Sequence, residues 1–226
     1  MSPEAIMIFG AGLGTRMGAL TRDRPKPLIE VAGRPLIGHA LALAREAGIG
    51  RIVVNVHAHA DMMRDWLGSE APDVIISHEA DLLETGGGLN LALPLLGDGP
   101  VLTLNSDMVW GGENPLTRLV SEWDADRMDG LLCLIPRADA ASHAGTGDFE
   151  LSADGRIARR GAAFVYAGAG IIRPRALDGF EGKFSLNPVW DRMMAHGRLH
   201  GIIHDGPWVD VGRPEGIGLA EAALAE

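Results

Sequence analysis

The chain has 226 residues, enough for one sizeable α/β core. Its formal net charge of −10 argues against non-specific nucleic-acid binding, so a phosphate ligand would have to rest on local positive charge. The single cysteine, Cys133, excludes an internal disulfide and, inside Leu131-Leu132-Cys133-Leu134-Ile135, reads as a buried core thiol. Ala5-Ile6-Met7-Ile8-Phe9 reads as a buried parallel strand close to the start, with no basic, small-residue leader ahead of it. Further strands are expected over 51–56, 74–77, 101–105 and 131–136, and helices over 35–47, 60–67, 89–95 and 114–126. Pro35 suits a first helical turn and Gly48 the position just past a last one. The second half is more mixed. Strands are expected over 147–151, 155–159, 164–172 and 199–204, and helices over 188–196 and 214–224. The alternation predicts an α/β fold, a Rossmann-like, mostly parallel sheet with helices on both faces. No linker or repeat breaks the chain, so a single domain over 1–226 is expected. No apolar run is long enough to span a bilayer. A cytoplasmic enzyme with no membrane and no nucleic-acid partner, working as a monomer or weak dimer, is the expectation.

Ligands in such sheets sit beyond the carboxyl ends of the strands, where the loops after Phe9, Ser77 and Asn105 lie. The first of these loops is Gly10-Ala11-Gly12-Leu13-Gly14-Thr15-Arg16-Met17, followed by Arg24-Pro25-Lys26-Pro27-Leu28. Its spacing is G-x-G-x-G, which matches neither the dinucleotide G-x-G-x-x-G nor the P-loop. Taken alone, the glycines read equally as a tight strand-to-helix turn. With Arg16 and Lys26 supplying fixed charge, backbone N–H groups freed of Cβ atoms make a polyphosphate site. Asp107, just past the 101–105 strand, suits a hard cation, or else a helix N-cap or loop role. Asp210, in Trp208-Val209-Asp210-Val211-Gly212, is its natural partner or a turn aspartate before the last helix. Glu84-Thr85-Gly86-Gly87-Gly88 reads as a glycine-rich loop running into a helix at Leu89, either a helix-start turn or a backbone edge for a base, with Glu79 also facing the base. His57 and His59 lack a third ligand, and Gly197 breaks any helix through His196, His200 and His204, so surface or capping roles are expected. There is no Gly-x-Ser-x-Gly elbow and no paired-cysteine zinc motif.

Gly-Leu-Gly-Thr-Arg-Met, then Pro-Lys-Pro-Leu, then Val31-Ala32-Gly33-Arg34-Pro35-Leu36-Ile37 resembles the sugar-1-phosphate nucleotidyltransferase family. The resemblance runs nearly the whole chain, to the 208–212 motif. Glu84–Gly88, Gly147-Asp148-Phe149 and the short length are most similar to the small uridylyltransferases acting on N-acetylmuramate α-1-phosphate. Two departures stand out: Phe9-Gly10-Ala11-Gly12 where the family opens Leu-Ala-Ala-Gly, and Asn105-Ser106-Asp107 where it has Asn-Gly-Asp. The resemblance implies the nucleotide-diphospho-sugar transferase fold, with a nucleotide-binding half over about 1–136 and a sugar-phosphate half over 137–226. It implies UTP and a sugar 1-phosphate as substrates and Mg²⁺ held by Asp107 and Asp210. Arg16 and Lys26 would be catalytic. Ala11, Gly12, Leu13, Gly14, Thr15, Glu79, Gly86 and Gly87 would contact the nucleotide, and Asn105, Gly147, Glu150, Ala169, Gly170 and Asn187 the sugar phosphate, with Asn187 also readable as a helix cap. With no hexapeptide repeat legible after the catalytic-looking region, a bifunctional chain with an appended acetyltransferase-type β-helix is not expected. The alternatives are a guanylyltransferase on mannose or heptose 1-phosphate, a cytidylyltransferase on phosphocholine, and a non-catalytic nucleotide-sugar sensor.

Overall fold

The computed structural model describes residues 1–140, 142–143 and 145–225. β1 (Ala5–Phe9) is followed by a 3-10 segment (Thr15–Thr21), a short ribbon of β2 (Glu30–Val31) and β3 (Arg34–Pro35), and α1 (Leu36–Glu46). Next come β4 (Arg51–Val56), α2 (Ala60–Glu70), β5 (Ile75–His78), α3 (Glu84–Leu96), β6 (Val101–Asn105), β7 (Met108–Trp110) and α4 (Pro115–Glu122). The remainder is β8 (Gly130–Pro136), β9 (Phe149–Leu151), β10 (Ile157–Arg160), β11 (Phe164–Ile172), α5 (Asn187–Ala195), β12 (Leu199–Ile203), β13 (Trp208–Asp210) and α6 (Glu215–Leu224).

Among the described residues one nine-stranded sheet carries the molecule. β5, β4, β1 and β6 run parallel in that order. β11 then lies antiparallel between β6 and β8, so the sheet is continuous across both halves of the chain, and β12 closes the edge parallel to β8. Successive residues of a strand face opposite ways. Ile6 and Ile8 of β1 pack with α1, α2 and α4, whereas Ala5 and Met7 pack with α3 and α5 on the other face. That two-sided burial is why β1 is apolar without alternation. A third cluster joins Met17, Ile29, Leu36, Val109, Val209 and Ala220, seating α6 and the β7–β13 pair beside the sheet. Cys133 is buried, and burial pushes its thiol up to about 12, as expected of a core residue. No described helix is long and apolar enough to cross a membrane.

Three expectations need correction. α3 begins at Glu84 rather than Leu89, so its glycines lie inside the helix. Their poor helix propensity is outweighed by packing: a Cβ at Gly86 would meet the Phe184 ring, one at Gly87 the Gly182 carbonyl, and one at Gly88 the Glu79 carboxylate. Asn187 is the first helical residue of α5 and not its cap, because Leu186 holds that position with no side-chain cap bond. His200 and His204 are buried rather than at the surface. His204 stacks edge-on against Trp110, and its Nε2 lies 3.1 Å from the Gly111 carbonyl oxygen.

The end of the sheet away from the site is tied by one carboxylate. Asp129 accepts from Arg175 Nη2 (2.9 Å) and Arg198 Nε (2.9 Å). Burial opposes its ionisation, but the two arginines outweigh burial and hold its carboxyl below the usual range. A depressed pKa stabilises the fold above the ordinary aspartate value, and that stability is lost as pH falls through the depressed one. Asp129→Asn is therefore expected to cost about 1–3 kcal/mol near neutral pH. By denaturant titration the gap from wild type should shrink at about pH 3. An equal gap at both pH values would refute this assignment.

Candidate active site

Register alone sets the first part of the site. Phe9, the last residue of β1, pairs with Asn55 in β4 and with Asn105 in β6, so all three face the same end of the sheet. The glycine-rich turn leaves from that point. Gly10 N–H donates to Asn55 Oδ1 (2.7 Å), and a Cβ at Gly10 would lie 2.9 Å from the Asn55 carbonyl oxygen. Close approach to β4 therefore requires glycine there. Gly14 takes φ +62° to start the 3-10 segment, and buried Met17 anchors that segment in the third core cluster. Ser106, the residue that departs from the family pattern, donates its hydroxyl to the Phe9 carbonyl (2.6 Å) and fastens the end of β6 to the end of β1.

The charged groups arrive from three directions. Lys26 sits in a tight turn between Pro25 and Pro27, is only 8% exposed, and places Nζ 2.5 Å from Asp107 Oδ2. Asp210 is brought over by the β7–β13 ribbon, which pairs it with Met108, and Val211 N–H donates to the Asp107 carbonyl (3.0 Å). The ribbon thus docks the 208–212 motif beside the end of β6. Asp210 N–H donates to Ser142 Oγ (2.8 Å), but its Oδ1 is buried with no hydrogen-bond partner among the described residues. Burial, and then the neighbouring Asp107 charge, push the Asp210 carboxyl above its usual range, against Lys26 and Arg16.

Two cavities meet here. The first, about 390 Å³, is bordered by Gly10–Gly12, Lys26, Glu79, Glu84 and Asp107. The second, about 330 Å³, is bordered by Arg16, His143, Asp148, Asn187, Trp190 and Asp210. Phe9, Thr85 and Asn105 border both. In the second, Tyr166 and Trp190 meet edge-on at 4.8 Å between ring centroids and form an aromatic wall. Asp148 Oδ2 accepts from Tyr166 N–H (2.9 Å), leaving its other oxygen for further donors.

The structure thus brings Ala11, Gly12, Lys26, Glu79 and Asp107 to one cavity, Arg16, Asn187 and Asp210 to the other, and Asn105 to both. Other expected residues border neither. Leu13 is half exposed, and Gly14 and Thr15 form the entry to the 3-10 segment. Gly86 and Gly87 are buried, and both N–H groups donate to the Phe184 carbonyl (2.9 Å each), so the α3 wall of the cavity is Glu84 and Thr85 instead. Gly147 is glycine because a Cβ would lie 2.7 Å from the Ala162 backbone. Glu150 accepts from Ala162 N–H through Oε1 (3.1 Å). Ala169 and Gly170 are buried in β11, where a Cβ at Gly170 would lie 2.9 Å from the Leu131 carbonyl oxygen. Gly168, at φ +88°, packs against Asn105, whereas Tyr166 is the β11 residue that borders a cavity. Asn55, Glu84, Asp148, Tyr166 and Trp190 border a cavity without being among the expected site residues. Of the Gly-Asp-Phe segment and the residue after it, Asp148 rather than Glu150 borders the second cavity.

Residues 6–144 match the family model described as the MobA-like NTP transferase domain. An N-acetylmuramate α-1-phosphate uridylyltransferase of Caulobacter vibrioides is 42% identical, over 100% of this chain and 98% of that one. A protein of the same description from Neisseria meningitidis serogroup B is 35% identical, over 91% of this chain and 92% of its own. Among solved structures, HddC from Yersinia pseudotuberculosis complexed with GMP-PN superposes with a TM-score of 0.81 at 21% identity, covering 99% of this chain and 100% of that one, a likeness of fold. With two cavities joined at the carboxyl end of the parallel strands and full-length similarity to two uridylyltransferases, the chain belongs to the MobA-like NTP transferase family, among its sugar-phosphate nucleotidyltransferases.

Proposed function

We propose that the protein transfers the uridylyl group of UTP to N-acetylmuramate α-1-phosphate, giving the UDP-sugar and pyrophosphate. The observation that carries this reading is the junction of the two cavities at Phe9, Thr85 and Asn105. Each side of it holds its own cation and carboxylate, Lys26 with Asp107 on one and Arg16 with Asp210 on the other. The choice of uridine and of the acceptor rests on the two uridylyltransferase relatives.

An oxygen of the sugar 1-phosphate attacks the α-phosphorus of UTP. The new P–O bond forms as the bond to the bridging oxygen breaks, and pyrophosphate leaves with that electron pair. Such transfer needs positioning and charge neutralisation rather than a protein nucleophile. The turn after Phe9 offers backbone N–H groups to the triphosphate, and its arrival draws Lys26 from Asp107 onto the charge gathering on the departing pyrophosphate. Arg16 meets the acceptor phosphate, while the aromatic wall and Asp148 orient the sugar. Among the described residues no group of three or more His, Cys, Asp or Glu side chains could hold a metal. Asp107 and the orphaned Asp210 Oδ1 nevertheless fit Mg²⁺, which takes one or two carboxylates and completes its shell with water and substrate phosphate. Bound there, it would neutralise the two phosphates as they approach.

Initial rates of pyrophosphate release are expected to be highest with UTP and N-acetylmuramate α-1-phosphate in a matrix of nucleoside triphosphates against sugar 1-phosphates and phosphocholine. A preference for GTP or CTP would overturn the uridylyl assignment, and UTP with another sugar would overturn the acceptor alone. Metal binding is read separately. Asp210→Asn removes a buried charge and should raise the melting temperature in chelator by about 2–4 °C, the shift that ~1 kcal/mol gives a chain of this size. Mg²⁺ should stabilise wild type and leave Asp210→Asn unmoved. Equal stabilisation of both would remove Asp210 from the metal site.

A further inference from the structure

A chain of buried polar groups joins the two walls of the first cavity. Asn55 is 2% exposed and Glu79 is 1% exposed. Asn55 Oδ1 accepts from Gly10 N–H (2.7 Å), and Asn55 Nδ2 donates to Glu79 Oε1 (2.6 Å). Glu79 Oε2 accepts from Leu83 N–H (2.9 Å), one residue before Glu84, which is held at φ +63° on the cavity wall. The relay therefore runs from the glycine-rich turn to the start of α3. Its direction is fixed by chemistry: both ends are backbone N–H groups that can only donate, and a carboxylate can only accept, so the amide between them has one permitted orientation. α3 packs directly on it, because a Cβ at Gly88 would meet both Glu79 Oε1 and Asn55 Nδ2. Burial makes every link costly to break, since a donor or acceptor left unpaired out of water loses its full hydration.

Resting on the reading of this cavity as the nucleoside triphosphate site, we infer that Asn55 is a positioning residue. With Glu79 it holds the phosphate-facing turn at a fixed distance from the Glu84–Thr85 wall, so the two ends of one nucleotide meet correctly spaced surfaces. Glu79, whose two oxygens are spent on Asn55 and Leu83, is then part of the spacer rather than a reader of the base. A Glu84 backbone held in the left-handed region, where a residue with a side chain is strained, is the local consequence of pinning the chain at Leu83.

Proton bookkeeping supplies the test. Glu79→Gln brings a second amide into the relay, so two N–H groups must face each other somewhere along it. Asn55→Asp sets two carboxylates against each other. In the double variant Asn55→Asp, Glu79→Gln every link returns with the middle bond reversed. The introduced glutamine accepts from Leu83 N–H through its oxygen and donates through its amide nitrogen to the introduced aspartate. That aspartate in turn accepts from Gly10 N–H. UTP affinity is measured by calorimetry on all four proteins, each first shown to be folded by circular dichroism. Each single variant is expected to bind UTP about tenfold or more weakly, and the double variant to recover to within about threefold of wild type. The KM for the sugar phosphate should stay within about twofold throughout, a split that a general loss of structure would not give. If Asn55→Asp does not fold, Glu79→Gln against the double variant carries the same comparison. Single variants that bind UTP as wild type does, or a double variant no better than the weaker single, would overturn the relay alone. A wild-type chain that binds no nucleoside triphosphate would overturn it together with the reading on which it rests.

Discussion

The in-register parallel block of β4, β1 and β6 is the constraint on which the site depends. Because Phe9 pairs with both Asn55 and Asn105, β1 and β6 stop at one height and β4 ends one residue beyond it, so the chain turns away from a buried edge there. A one-residue slip in a strand would carry its side chains to the opposite face. Slippage is prevented by burial on both sides: Ile6 and Ile8 are committed to one core, and Ala5 and Met7 to the other. The glycine-rich turn and Ser106 inherit their places from that register, Gly10 through Asn55 and Ser106 through the Phe9 carbonyl.

On this frame a protein of net charge −10 assembles a site for anions. The cations are few and closely held. Lys26 is buried against Asp107, and Arg16 borders the cavity that contains Asp210. Without ligand, Lys26 offsets part of the repulsion between the two carboxylates, and the unpartnered Asp210 oxygen keeps some of that cost in place. A site of this kind is organised before its substrates arrive, so little rearrangement beyond the release of Lys26 is asked of it.

The sequence made the parallel block and the charged motifs legible because each depends on local signals: an apolar run, a glycine spacing, a proline beside a lysine. It located β1, β4 and β6 and the residues Arg16, Lys26, Asp107 and Asp210, all of which reach the two cavities. What it misplaced depends on contacts between distant segments. Gly86 and Gly87 look like a ligand loop, but their missing Cβ atoms make room for 182–184, about a hundred residues away. Gly147 and Gly170 are likewise glycine for close backbone approach, and Glu150 is engaged with Ala162 while Asp148, two residues earlier, borders the second cavity. Asn55 carried no motif, since an asparagine in an apolar strand reveals its partners only when Gly10 and Glu79 are folded against it.

On the proposed reading, Lys26 and the two carboxylates form one device that exchanges an internal ion pair for substrate phosphate. A crystal structure with a non-hydrolysable UTP analogue and Mn²⁺ tests it most directly. The expected result is triphosphate along the turn after Phe9, Lys26 Nζ moved from Asp107 onto a phosphate oxygen, and an anomalous manganese peak between Asp107 and Asp210. Triphosphate bound elsewhere, or bound with the Lys26–Asp107 pair intact and no metal between the carboxylates, would contradict it.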